Sequence, residues 1–132
     1  VDLIVRGACM LPAQRPGLTE NIRVRSNIGR FLEHARVFYF RSGASEEVYL
    51  SSADWMNRNM LRRIELAWPV TDAVLKQRLI DECLVSQLHD GRDAWDMAAD
   101  GTYMRVDPER PGHSAQAALM ALYASRNKGA GE

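Results

Sequence analysis

The sequence predicts a mixed α/β domain, a β-sheet covered by helices, on three observations. Short apolar runs alternate with helix-period segments through the first two-thirds of the chain. An Asp100-Gly101 turn signal between two apolar-polar runs predicts a hairpin, followed by one last helical segment. The chain has 132 residues, 46% of them apolar, which suits one domain with its own core. No repeat, low-complexity stretch or second domain interrupts it, so residues 1–132 read as a single domain.

The elements follow in order. Leu3-Ile4-Val5 reads as a buried strand ending in Arg6-Gly7, and Leu11 to Leu18, with Pro12, Pro16 and Gly17, as a loop. Ile22-Arg23-Val24-Arg25 alternates apolar and charged residues, the pattern of a half-exposed strand. Ser26 to His34 predicts a short helix with Ser26 as cap and Ile28, Phe31 and Leu32 on its apolar face. Val37 to Phe40 is a strand, Arg41 to Glu47 a polar break, and Val48-Tyr49-Leu50 a second strand running into Ser51-Ser52-Ala53-Asp54-Trp55. Ile64 to Trp68 predicts another strand, closed by Pro69.

Asp72 to Leu88 predicts an amphipathic core helix, with Val74, Leu75, Leu79, Cys83, Leu84 and Leu88 recurring at spacings of three and four. His89 beyond it should face solvent. Ala94 to Met97 and Thr102 to Val106 form the hairpin, with Trp95 and Tyr103 covering a sheet face. Pro108 to Gly112 breaks the chain. Ser114 to Arg126 is the final helix, with Ala118, Leu119, Leu122 and Tyr123 apolar, and Asn127 to Glu132 should fray.

Composition excludes several function classes. Seventeen basic and seventeen acidic residues give zero net charge, so no global field favours nucleic acid or an acidic membrane. No apolar segment is long enough to span a bilayer. Cys9 and Cys83 show no metal-ligand spacing and read as buried thiols of a reducing compartment. The basic residues, apart from Lys76 and Lys128, are arginines, whose planar fork suits phosphate and carboxylate. The chain opens on Val1 within a strand pattern, without signal peptide or initiator methionine, and reads as part of a longer polypeptide.

The chemistry concentrates between Phe31 and Asn59. His34 precedes one strand, and a small polar cluster leaves the next, where α/β sheets favour ligand sites. A histidine with arginines, serines and a carboxylate at a sheet edge suits phosphate chemistry, with arginine stabilising phosphoryl oxygens and histidine moving a proton. Read from the residues alone, Arg6 is equally a surface arginine, and His34 reads as a cap for helix carbonyls ahead of a functional group. No GxxxxGK[ST] phosphate loop is present. A Ser51, His34, Asp54 hydrolase lacks any GxSxG elbow.

Several blocks, in order, closely resemble the last domain of type 1 polyphosphate kinase. They are Asp2 to Cys9, Asn21 to Val24, Gly29 to Val37, Val48 to Met56 and Arg62 to Glu65, with Asp93 to Trp95, Tyr103 to Arg105 and the terminal helix resembling that domain's tail. The resemblance implies the second of two phospholipase-D-like halves. Against the superfamily's His-x-Lys-x4-Asp motif, His34-Ala35-Arg36 keeps the histidine and substitutes arginine for lysine. Arg41 stands where the aspartate would, and Ser51-Ser52-Ala53-Asp54 where the serine block belongs. That departure argues against phosphodiesterase activity.

The resemblance further implies reversible transfer of the terminal phosphate of ATP to polyphosphate, through a phosphohistidine in the preceding domain. His34 matches the family's second histidine, and Arg6 the arginine contacting the nucleotide phosphates. Arg36, Ser51, Ser52 and Asp54 are candidate supporting residues, while Arg58, Arg62 and Arg63 read as polyanion path or surface. ATP or ADP and inorganic polyphosphate are the implied substrates. The Mg2+ ligands, the phosphorylated histidine and the dimerisation region lie outside this chain, so the isolated chain should not turn over. The implied parent is a cytoplasmic homo-oligomer, peripheral to the inner membrane in one version, with no nucleic-acid partner. The rival readings are a non-catalytic module binding polyanions or protein, and a dimeric phosphodiesterase.

Overall fold

A computed structural model describes residues 1–106 and 112–129, with the side chains of Lys128 and Gly129 excepted. The chain forms two compact units, one of Val1–Glu33 with Ser86–Glu132 and one of His34–Val85.

The first unit holds a four-stranded sheet in the order β1-β2-β6-β7, with β1 Asp2–Val5, β2 Arg23–Asn27, β6 Ala94–Met97 and β7 Tyr103–Arg105. β1 runs parallel to β2, and the β2–β6 and β6–β7 pairs are antiparallel. The alternation in β2 works as expected: Val24 is buried with Ala13 and Met97, and Leu3, Val5, Cys9, Ile22 and Tyr103 pack around them. Arg23 faces out to Asp2, while half-buried Arg25 binds both carboxylate oxygens of Asp96 at 2.7 and 2.9 Å. Asp96 raises the pKa of Arg25 further above its ordinary value, outweighing the opposing effect of burial.

The helix expected over Ser26 to His34 does not form. β2 continues to Asn27, and residues 28–36 are irregular. Ser26 and Asn27 are buried, the first accepting from the Gly7 amide at 3.0 Å and the second donating to Gln87. Gln116 replaces the missing helical bonds, accepting from the Phe31 amide and donating to the Phe31 carbonyl and to Glu33. Long-range partners thus outcompete a weak local helix.

The hairpin at Asp100-Gly101 forms as expected, with Gly101 at φ 86°. The last helix, α4, runs Ala115–Gly129. Its start is fixed by Asp90, 2% exposed, which accepts from the amides of Arg92, Asp93 and Ala115. A carboxylate at that terminus also meets the positive end of the helix dipole. Leu122 and Tyr123 on the helix are exposed, against expectation. The expected break over Pro108 to Gly112 lies outside the described residues except at Gly112, as do the last three residues of the expected frayed end.

The second unit holds the antiparallel sheet β3-β4-β5, with β3 Val37–Ser42, β4 Ser45–Ser51 and β5 Ala67–Pro69. Arg41 to Glu47 is no break. β3 and β4 pair as far as Ser42↔Ser45 across a two-residue turn with Gly43 at φ 59°. Glycine first in such a turn matches strand twist, so the polar run simply reflects two exposed strand ends. The strand expected from Ile64 begins only at Ala67. A short helix α1, Asn57–Arg62, precedes it, and Ile64 is 98% exposed.

Asp72 caps helix α2, Ala73–Leu79, by accepting from the Leu75 amide at 2.8 Å. A π-helical segment, Ile80–Val85, follows α2, and a single turn α3, Ser86–Leu88, belongs to the first unit. The stripe read as core is not buried: Val74 and Leu75 are exposed and Leu79, Cys83, Leu84 and Leu88 half-buried. Cys9 and Cys83 are also half-buried rather than buried. Among the described residues no helix is long and apolar enough to cross a membrane.

Candidate active site

Three of the residues singled out in the sequence meet at one end of the β3–β4 pair. His34 and Arg36 stand in the irregular stretch that leads into β3, and their side chains meet there. The Arg36 carbonyl accepts from the Ser51 amide at 3.0 Å, extending the ladder beyond β3 and aligning Arg36 with the exit of β4. Asp54 lies three residues past that point. Its Oδ1 accepts from Arg36 Nε at 2.8 Å and lies 2.7 Å from the terminal NH2 nitrogen.

That same NH2 lies 2.5 Å from His34 Nε2, and Asp54 Oδ1 is 3.8 Å from Nε2. An arginine N–H only donates, so in this contact Nε2 is the accepting side. The Arg36 and Asp54 side chains are 21% and 29% exposed and the His34 side chain 64%. A part-buried ion pair therefore supports a ring open to solvent. His34 caps no helix, because no helix ends there.

The serines serve the loop instead. Ser51 Oγ accepts from the Ala53 amide at 3.1 Å. Ser52 Oγ donates to Glu65 and accepts from the Leu66 amide, and its own amide donates to the Leu66 carbonyl. Asn59, 3% exposed, donates to the other oxygen of Glu65 at 2.7 Å. Ser52 first, then Asn59, holds the Glu65 carboxyl below its ordinary value. Sequence reading placed Glu65 in a strand and gave it no role; the loop-to-loop bonds that single it out are nonlocal.

Phe38 and Trp55 stack with ring centroids 5.9 Å apart, and Trp55 remains 75% exposed. They line a shallow depression of about 340 Å3 with Asn59, Arg63 and Glu65 among its walls. Arg58 reaches Asn59 at 3.4 Å. Arg6 belongs to the other unit. It is exposed just past β1, and among the described residues no hydrogen bond or ion pair holds its guanidinium. Among the described residues no group of three or more His, Cys, Asp or Glu is arranged to hold a metal ion.

Residues 1–117 match the family model described as polyphosphate kinase C-terminal domain 2. The chain is 52% identical over 125 residues to a polyphosphate kinase of Burkholderia cenocepacia, covering 95% of this chain and 18% of that protein. It is 51% identical, at the same coverage, to one of Paraburkholderia phytofirmans. The solved structure of polyphosphate kinase from Porphyromonas gingivalis superposes with a TM-score of 0.80 at 37% identity, over 96% of this chain and 19% of that one. The chain thus spans less than a fifth of the length of these relatives. The fold is the mixed α/β, phospholipase-D-like half that the sequence predicts. The chain belongs to the polyphosphate kinase C-terminal domain 2 family.

Proposed function

We propose that this chain is the C-terminal catalytic subdomain of an ATP:polyphosphate phosphotransferase. The whole enzyme reversibly moves the terminal phosphate of ATP onto polyphosphate, through a phosphohistidine carried by the preceding domain of the same polypeptide. His34 is the catalytic histidine of this half and, with Arg6, binds the nucleotide or polyphosphate phosphates. Arg36 and Asp54 support it by contact, and Ser51 and Ser52 support it by holding the loop that carries Asp54. Mg2+ is held by residues outside this chain, and the intact enzyme is a cytoplasmic homo-oligomer.

The observation that carries this reading is the exposed imidazole of His34 beside the Arg36 guanidinium, in a chain of this family. Phosphoryl transfer needs little covalent chemistry from a protein. It needs positioned cations for the equatorial oxygens and a donor for the oxygen on which charge develops. A solvent-facing imidazole next to a fixed guanidinium provides both kinds of group.

In the intact enzyme, His34→Ala should lower the rate of ATP-dependent polyphosphate synthesis by about 10²- to 10⁴-fold. A wild-type rate would overturn the catalytic reading and leave a polyanion-binding module. The 132-residue chain alone should release no ADP from ATP, and full activity from it would defeat the assignment of the nucleophile elsewhere.

A further inference from the structure

Asp54 touches His34 only loosely, at 3.8 Å, yet it binds Arg36 through both Nε and NH2. The Arg36 guanidinium therefore has two jobs. Its Nε donates to Asp54 Oδ1 at 2.8 Å, and its NH2 nitrogen, 2.7 Å from the same oxygen, meets His34 Nε2 at 2.5 Å. The guanidinium is planar, so fixing its Nε and NH2 edge against one carboxylate oxygen fixes the direction of the remaining N–H. Arg36 NH1 also reaches the His34 backbone carbonyl, at 3.4 Å, which ties the same plane to the main chain of the residue it orients.

We propose that Asp54 is a positioning residue for His34, acting through Arg36. Asp54 sets the guanidinium plane, Arg36 occupies Nε2, and the Nδ1 edge of the imidazole is left to meet an anionic oxygen. This rests on the reading that His34 meets phosphate, and it deepens that reading by naming the ring atom that does so. It also separates Arg36 and Asp54 from Ser51 and Ser52, whose hydroxyls are bonded to Ala53, Glu65 and Leu66 instead. An Asp in contact with an Arg cannot itself attract phosphate, so its value at a polyanion site lies in orientation.

The test is a double-mutant cycle in intact polyphosphate kinase carrying this domain, with kcat, KM for ATP and the pH profile of kcat read for each variant. Asp54→Asn should lower kcat by about 10- to 100-fold, the usual loss when an orienting partner is removed, with KM changed little and the pH profile displaced. Asp54→Glu should restore part of kcat. In a His34→Ala background the further loss from Asp54→Asn should vanish, because Asp54 has then nothing to orient. A full additional loss in that background, or wild-type kcat and pH profile in Asp54→Asn, overturns the proposal. Should Asp54→Asn fail to fold, Arg36→Lys in the same cycle decides: an ammonium keeps the charge but cannot hold both partners in one plane, so it should behave as Asp54→Asn does. Failure of the underlying reading is a separate result, since His34→Ala alone would then turn over at the wild-type rate.

Discussion

A single carboxylate, Asp90, decides where the longest helix begins. It is 2% exposed and accepts from three backbone amides, two in its own turn and one at Ala115. Asp90→Ala strips the buried Ala115 amide and the part-buried Asp93 amide of this acceptor, while the Arg92 amide keeps the His113 carbonyl at 3.4 Å. The expected cost is about 2–3 kcal/mol, read as a lowered midpoint in urea with an unchanged m-value; an unaltered midpoint would contradict the role. Glu65 is the comparable residue of the second unit. Its folded pKa lies below the ordinary 4.5 because Ser52 and Asn59 bond its charged form. Stability from those bonds is therefore present above the unfolded pKa and lost as pH falls through the lower folded value. Ser52→Ala should raise the Glu65 pKa, measured by carboxyl 13C titration. A titration identical to wild type would show that the Ser52 bond does not form in solution. His34, Arg36 and Asp54 were all visible in the sequence as chemistry-bearing types. Their grouping into one relay was not, because Asp54 is eighteen residues from Arg36 and only strand pairing brings them together.

At the scale of elements, the stretch from Ser26 to His34 carries the clearest lesson. Its apolar spacing and capping serine favour a helix, yet Gln116, eighty-five residues on, takes the Phe31 amide and carbonyl. Gly29 permits that approach, since a Cβ there would lie 2.7 Å from Gln116 Cδ. Gly29→Ala must displace a side chain that makes three bonds, and should destabilise the chain by about 1–3 kcal/mol. Thermal melting of that variant beside Gly112→Ala, which meets backbone, provides the comparison; no loss for Gly29→Ala would refute the account. The β3–β4 hairpin erred the other way. The seven residues from Arg41 to Glu47 read as a break although they are strand ends around a glycine-first turn, because alternation cannot be seen where both faces are exposed.

For the whole molecule, two units share one chain, and the first is assembled from both ends of it. We propose that residues 1–132 nevertheless unfold as one domain. Trp95 reports on the first unit and Trp55 and Trp68 on the second, so Trp95→Phe and the Trp55→Phe, Trp68→Phe pair isolate the two signals. Coincident urea transitions are expected, and separated ones would make the units independent. The phosphate contact proposed for Arg6 also belongs at this scale, because its test needs the intact enzyme. Arg6→Ala should raise KM for ATP by about tenfold or more, the worth of one charge-assisted hydrogen bond, while Arg6→Lys recovers part of it. An unchanged KM would remove Arg6 from the phosphate site.

By itself the sequence determined the fold class, the strand alternation of β2, the Asp100-Gly101 hairpin and the family, since each follows from local periodicity, turn chemistry or blocks of residues in order. It also marked His34, Arg36 and Asp54 as separate candidates. Tertiary structure alone decided which apolar stripes are buried, where β2 stops, that Glu65 is bonded to Ser52 and Asn59, and that one guanidinium joins Asp54 to His34. The reason is physical: periodicity reports what a face is made of, whereas a partner's identity depends on distances that only the folded backbone sets.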